Sequence, residues 1–295
     1  MSKITDSLTQ AFLAQEKLPG SFADTIEAWY LPLVNRLLSI HRQHGPGLLV
    51  GINGAQGTGK STLAKFLALV FQQQQLRVAN LSLDDFYLSH HQREQLARRV
   101  HPLLVTRGVP GTHDIASLNS LVKQLHNPKS SGRVLLPRFN KLLDNPCPET
   151  QWEKIQLPVD IILLEGWFVG VMPQNEADLV TPVNPLEAEK DEQGTWRQYV
   201  NLCLADYQPL FDSIDFLIML EAPSFDCVYQ WRSLQEEKLK NRMKVADSRS
   251  MDSENLKQFI QHFERLTLHG LEQLPARADL VFHLDRQHRI SRMSQ

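Results

Sequence analysis

The sequence is short of cysteine, of net charge and of long apolar runs, and each shortage excludes something. Three cysteines occur in 295 residues, Cys147, Cys203 and Cys227. They lie far apart, no pair has zinc or redox spacing, and an odd count argues against a disulfide framework. A reducing cytoplasmic location is the expectation. The net charge is −2, so no global basic field points to nucleic acid. No apolar run reaches membrane-spanning length, and Met1-Ser2-Lys3 leads into polar sequence rather than a signal core. Neither nucleic acid nor a membrane is therefore an expected partner, and the oligomeric state is left open. Internal repeats and extended low-complexity tracts are lacking too. What remains is ordinary globular composition, 42% hydrophobic and 22% charged.

Against that background one stretch stands out. Leu48-Leu49-Val50-Gly51-Ile52-Asn53 is a short, mostly apolar run, as expected of a buried parallel strand. Gly54-Ala55-Gln56-Gly57-Thr58-Gly59-Lys60-Ser61 follows at once and matches G-x-x-x-x-G-K-[ST], the phosphate-binding loop. Leu63, Phe66, Leu67, Val70 and Phe71 then recur at helical spacing. At average composition a chance match in a chain this long is about one in a hundred. The chemistry explains the spacing. Gly54, Gly57 and Gly59 let the backbone curl so that successive N–H groups point inward, and the helix N-terminus adds its positive end. Residues 54 to 62, from Gly54 through Thr62, are thus the expected nucleotide contacts. Lys60 reaches the β- and γ-phosphates and Ser61 offers a hydroxyl to Mg²⁺.

Around this loop the chain reads as alternating strands and helices. Ser21 is a candidate cap for a helix carrying Ile26, Trp29, Tyr30, Leu33, Leu37 and Leu38, which Pro32 should kink or restart. A second strand, 78–83, runs into Asp84-Asp85-Phe86-Tyr87, and a third, 160–164, into Glu165-Gly166-Trp167. Acids at the carboxyl ends of parallel strands lie beside the phosphate loop, where they serve catalysis or hold a metal. Asp84 reads as a catalytic or metal-binding carboxylate, Asp85 as an alternative base or Mg²⁺ partner, and Glu165 as a metal residue. Residues 88–159 are too long for a crossover helix and read as an insertion. In it, Arg93, Arg98, Arg99 and His101 read as a solvated helix face, and Asp114 as a helix N-cap. His113 suits a ligand contact or loop packing equally. A fourth strand, 215–220, precedes a cationic helix from Phe225 to Lys244, a candidate lid with Arg232 and Arg242 as candidates for the transferring phosphate. A fifth strand spans 279–284, and 286–295 reads as a basic, polar tail. The expectation is an α/β phosphate-loop fold in one domain, residues 1–295: a five-stranded parallel sheet with helices on both faces, an N-terminal helical segment at 1–46, an insertion at 88–159 and a lid at 225–250.

Several of these stretches together carry a resemblance. Gly54 to Ser61, Ser82-Leu83-Asp84-Asp85-Phe86-Tyr87-Leu88 and Leu164-Glu165-Gly166 resemble the kinases that include uridine kinase, phosphoribulokinase and bacterial pantothenate kinase. Arg107-Gly108, Gly111 to Asp114, Leu136 to Lys141, Glu165-Gly166-Trp167 and Val228 to Arg232 resemble more narrowly glycerate 3-kinase of the plant type and its microbial relatives. The stretch 238–250 departs from that pattern in being more basic. The resemblance implies ATP and Mg²⁺, with Asp84 acting on an acceptor hydroxyl and D-glycerate as the acceptor, the alternative being uridine, pantothenate or another small molecule that kinases of the same group take. A carboxylate-bearing acceptor needs cations beside the base, and Arg107, Arg138, Lys141 and His113 lie on insertion loops. With Asp85 and Tyr87 they complete the expected substrate residues. An NTPase driving motion or assembly, and a nucleotide-binding regulatory protein without turnover, are the rival readings. The long insertion opposes the first, and the intact Lys60, Ser61, Asp84 and Glu165 oppose the second.

Overall fold

The computed structural model describes residues 6–242 and 253–295. Its strands in chain order are β1 (Leu48–Gly54), β2 (Val78–Ser82), β3 (Gly132–Leu136), β4 (Phe139–Asn140), β5 (Asn145–Pro146), β6 (Glu153–Leu157), β7 (Ile161–Gly166), β8 (Phe216–Glu221), β9 (Leu280–Leu284) and β10 (Ile290–Ser294). The central sheet runs β2-β7-β1-β8-β9-β10. The first five are parallel, and β10 pairs antiparallel with β9.

The sheet therefore has six strands where the sequence pattern indicates five. The additional strand is β10, in a stretch whose sequence reads as a polar tail. It lies at an edge and is largely exposed, so it carries no buried alternation to reveal it. Its Arg292 suits an edge that must not recruit another chain.

Both faces of the sheet are buried, which is why its strands read as continuous apolar runs. Alternate residues feed two cores. Ile161, Leu163, Val50, Ile52, Ile218 and Phe282 point to one face, against the helix Lys60–Gln73 and the N-terminal helices. Ile162, Leu164, Leu81, Met219 and Val281 point to the other, against the insertion and the helix Ser253–Gln273. The N-terminal segment is thus part of the core, with Phe12 meeting Phe66 edge to face at 5.2 Å. Ser21 makes no capping bond, because its backbone is already helical. Pro32 follows a π turn at Ile26–Tyr30, where the wider coil accommodates a ring that would clash in a continuous α-helix.

In the insertion, Asp114 caps the helix Ile115–His126 through the Ser117 N–H, as its position indicates. Arg93 is not on a solvated face. It is 1% exposed and donates to the carbonyls of Leu88 and Val105, with Asp144 2.6 Å away. A guanidinium with all three nitrogens engaged is the form in which an arginine tolerates burial.

A second buried arginine anchors the helix that covers the sheet. Arg265 and Glu187 form a two-pronged ion pair at 2.7 and 2.6 Å, and Arg265 also donates to the carbonyls of Asp178 and Thr181. Glu187 is fully buried. Removing one partner strands the other charge, so Glu187→Ala should cost roughly 3–5 kcal/mol of unfolding free energy. Urea unfolding followed by tryptophan fluorescence measures it. A change under about 1 kcal/mol would mean that water reaches and solvates Arg265.

Candidate active site

Strand register assembles the site. Ile52 of β1, Glu165 of β7 and Ser82 of β2 stand side by side at the carboxyl edge of the sheet. The phosphate loop leaves β1 two residues beyond Ile52. A 3-10 turn, Leu83–Phe86, leaves β2 and carries Asp84 and Asp85. Gly57 and Gly59 have φ of 85° and 93°, a region that residues with a Cβ rarely adopt. A Cβ on Gly54 would lie 2.4 Å from the Thr58 hydroxyl, which donates to the Ala55 carbonyl at 2.8 Å. Thr58 is buried and braces the loop from within, while Gln56, Gly57, Gly59, Lys60, Ser61 and Thr62 line the cleft.

That cleft encloses about 390 Å³. Across from the loop, Asp84, Tyr87, Arg107, Lys141 and Arg232 also line it, so the structure brings most of the expected residues together. Asp84 has both carboxylate oxygens engaged: the Tyr87 hydroxyl donates to Oδ1 at 2.5 Å and Lys141 to Oδ2. Burial by itself would raise this carboxyl. The charges of Lys141 and Lys60, with the two hydrogen bonds, outweigh it and hold Asp84 at about 2. Asp84 is thus a fixed anion at any physiological pH.

Glu165 is the second carboxylate of the site. Ser61 Oγ donates to its Oε1 at 2.9 Å, and Lys60 Nζ lies 4.0 Å from Oε2. Oε2 is buried without a hydrogen-bond donor. A buried carboxylate oxygen with no donor, beside a serine hydroxyl, is an oxygen donor set suited to a hard cation such as Mg²⁺.

Three expected substrate residues fall elsewhere. Arg138 and Asp85 do not reach the main cleft. They pair with each other at 3.3 Å and line a smaller cleft, about 240 Å³, on the far side of Ser61 and Glu165. Arg138 also meets Glu153 at 2.9 Å, and the Phe139 N–H donates to Asp85. Burial raises the Asp85 carboxyl against the pull of Arg138. His113 is buried behind Tyr87, their rings 4.6 Å apart, with its Nδ1 2.9 Å from the Tyr207 hydroxyl. Burial lowers it to about 4 despite the nearby Asp84, so it is a neutral packing residue. Arg232 lies on the helix Phe225–Arg242. The side chain of Arg242 and residues 243–250 of the expected lid lie outside the described residues.

Sequence reasoning missed four contributors. Asp144 binds Arg93 and Arg107 together, and these guanidiniums hold its carboxyl below the usual range although burial would raise it. Only its turn position hinted at this. Trp167, Phe259 and Phe263 wall the cleft. Trp167 donates its indole N–H to the Gly108 carbonyl at 2.9 Å and meets Phe263 edge to face at 5.1 Å. Phe259 and Phe263 stand on the helix Ser253–Gln273 at a spacing that any core-facing helix shows, so nothing local marks them as cleft residues.

A parallel sheet with a phosphate loop, and fixed carboxylates at the same edge, define a phosphate-loop phosphotransferase of the kinase type. Comparison with known proteins narrows the class. The Phosphoribulokinase / Uridine kinase family pattern matches residues 49–181. A Schizosaccharomyces pombe protein described as the uncharacterized kinase mug58 is 34% identical over 75% of this chain and 80% of its own length. The chloroplastic D-glycerate 3-kinase of Arabidopsis thaliana is 30% identical over 74% of this chain, which spans 46% of that protein. The solved D-glycerate 3-kinase of Cryptococcus neoformans matches with a TM-score of 0.70 at 23% identity, over 90% of this chain and 99% of that one, a likeness of fold. The chain belongs to the phosphoribulokinase/uridine kinase family and is an ATP-dependent small-molecule kinase. No helix among the described residues is long and apolar enough to cross a membrane.

The electrostatics of Asp84 can be tested apart from turnover. Lys141→Met removes both a charge and a hydrogen bond, so the Asp84 carboxyl should rise from about 2 toward its ordinary value near 4. The ¹³C carboxyl shift of Asp84, followed from pH 6 to 2, reads it. A carboxyl lowered by folding stabilises the fold above its unfolded pKa and loses that contribution as pH falls toward the folded value. Wild type should therefore lose stability between about pH 4 and pH 2, and the variant should lose less. An unmoved carboxyl would assign the depression to Lys60 and Tyr87.

Proposed function

We propose that the chain transfers the γ-phosphoryl group of ATP to the hydroxyl of a small carboxylate, D-glycerate, forming 3-phosphoglycerate. The observation that carries this reading is the meeting of Lys141 and Arg107 with Asp84 in the cleft that the phosphate loop opens into. An acceptor that bears both a hydroxyl and a carboxylate matches that set. Its carboxylate takes over the cations, and its hydroxyl takes the oxygen of Asp84 that Lys141 releases. Lys141 can yield because its side chain is 58% exposed. An uncharged nucleoside would offer neither cation a carboxylate to move to, so Lys141 would have to stay on Asp84. The resemblance of the Arabidopsis D-glycerate 3-kinase supports the particular acid.

In this mechanism the phosphate-loop N–H groups and Lys60 hold the β- and γ-phosphates. Ser61 and Glu165 would hold Mg²⁺, which when bound neutralises charge on the phosphates. Asp84 aligns the hydroxyl with the γ-phosphorus and receives its proton as the new P–O bond forms, while the bond from the γ-phosphorus to the β,γ-bridging oxygen breaks and ADP leaves. A carboxyl near 2 is a weak base. A loose transition state asks for little proton transfer before the bond is well advanced, so orientation is its larger contribution. Arg232 faces the same cleft and supplies charge to the transferring group. Trp167, Phe259 and Phe263 exclude water that would otherwise compete as acceptor.

ADP release against D-glycerate, L-glycerate, pantothenate and uridine tests the assignment, with product identified through phosphoglycerate mutase. D-glycerate should give the largest kcat/KM, and preference for another acceptor rejects glycerate while keeping the kinase class. Lys141→Ala should raise the KM for the acceptor roughly 10–100-fold, the worth of a charged hydrogen bond, with the KM for ATP nearly unchanged. Equal effects on both would move Lys141 to the nucleotide. Asp84→Asn should lower kcat by about 10²–10⁴ with ATP affinity retained. Loss of ATP affinity with normal kcat would assign Asp84 to nucleotide binding instead.

A further inference from the structure

The amino edge of the sheet, opposite the phosphate loop, carries a side-chain cluster that kinase chemistry does not use. His44 ends the helix Leu31–His44, His126 ends the helix Ile115–His126, and Asp215 immediately precedes β8. One ligand atom from each lies within 4.8 Å of the others. His44 Nε2 is 3.4 Å from Asp215 Oδ1, and His126 Nε2 is 3.3 Å from Oδ2. Each separation, taken to its own oxygen of the carboxylate, is near the ligand–ligand spacing around an ion with bonds of ~2.0–2.1 Å, so a small shift of the side chains would bring the three onto one cation. All three side chains are partly open to solvent, so an ion can reach them.

The surroundings favour a cation. His44 Nδ1 lies 3.2 Å from the Gly45 carbonyl. In the neutral ring that bond puts the proton on Nδ1 and leaves the Nε2 lone pair facing the carboxylate. Two acceptors then confront each other, an arrangement that a cation between them resolves. Both histidines end helices, where the carbonyl ends of the dipoles favour positive charge. The Leu49 N–H donates to Asp215 Oδ2 at 2.8 Å and fixes the carboxylate plane. The backbone is fitted closely as well: a Cβ on Gly47 would lie 2.6 Å from the His126 carbonyl oxygen, so this turn presses against the helix end.

We propose that His44, His126 and Asp215 bind a borderline divalent transition metal, Zn²⁺ being the probe of choice. Two imidazoles and a carboxylate suit such an ion and leave one position for water, whereas Mg²⁺ and Ca²⁺ prefer oxygen donors throughout. The ion would join the N-terminal segment, the insertion and the central sheet at one point. Its role is structural, since the phosphate loop opens at the other edge.

Calorimetric titration of Zn²⁺ into the full chain without a histidine tag tests this, with Mg²⁺ as the control ion. Wild type should take up one Zn²⁺ and gain in Tm as it does so. His44→Gln and His126→Ala should each bind at least about 10-fold more weakly and lose the Tm gain. Co²⁺ should give visible d–d bands in wild type that His126→Ala lacks. ATP turnover, unchanged in both variants, certifies that they are folded. Undiminished Zn²⁺ affinity in the variants, or the absence of saturable uptake by wild type, overturns the proposal and leaves the cluster an ion pair.

Discussion

A buried carboxylate beside a phosphate loop sets the terms for the rest of this molecule. Glu165 stands next to the last residue of an otherwise apolar strand and is 7% exposed, so its carboxylate must be answered locally. Ser61 and Lys60 answer part of it from the first turn of the neighbouring helix. That exchange ties β7 to the phosphate loop and fixes the loop's height above the sheet edge. Asn53 adds a second tie, donating from the end of β1 to the carbonyls of Trp167 and Val169 just past β7. The two strands that flank the nucleotide position are thereby locked in register at the place where register matters most.

The acceptor side is organised by charge exchange. Each cation there already has a carboxylate: Lys141 has Asp84, and Arg107 has Asp144. Asp144 is itself held by the buried Arg93. The pairs keep long cationic side chains ordered, so less freedom is lost when a substrate arrives. They also impose selectivity, because a ligand must offer a carboxylate good enough to displace one. Arg107 is the better fixed of the two. Lys141 is exposed and on a loop, and is the member free to change partner.

The roof of the cleft depends on contacts remote from the chemistry. Gly108 accepts the Trp167 indole N–H and approaches Phe263 so closely that a Cβ would come within 2.4 Å of the ring. Phe263 belongs to the helix that the buried Arg265–Glu187 pair anchors. A buried ion pair between this helix and the segment 176–190, remote from the chemistry, therefore positions the aromatic wall of the site.

The phosphate loop, its helix and five strands were legible in the sequence because each is a local pattern. Glycine spacing dictates a backbone curl, and unbroken apolar runs dictate strands buried on both faces. The two acids at strand ends were legible for the same reason, since parallel strands deliver their carboxyl ends to one edge. Tertiary structure alone decided which insertion residues face the cleft. Arg107 and Arg138 look equivalent in sequence, but the pairing of β3 with β6 and the Tyr87–His113 bridge turn one inward and the other toward Asp85. His113 became a neutral packing residue, Arg93 a buried brace and residues 290–294 an edge strand for the same cause. Each depends on partners distant in the chain, and no periodicity of its own segment records them.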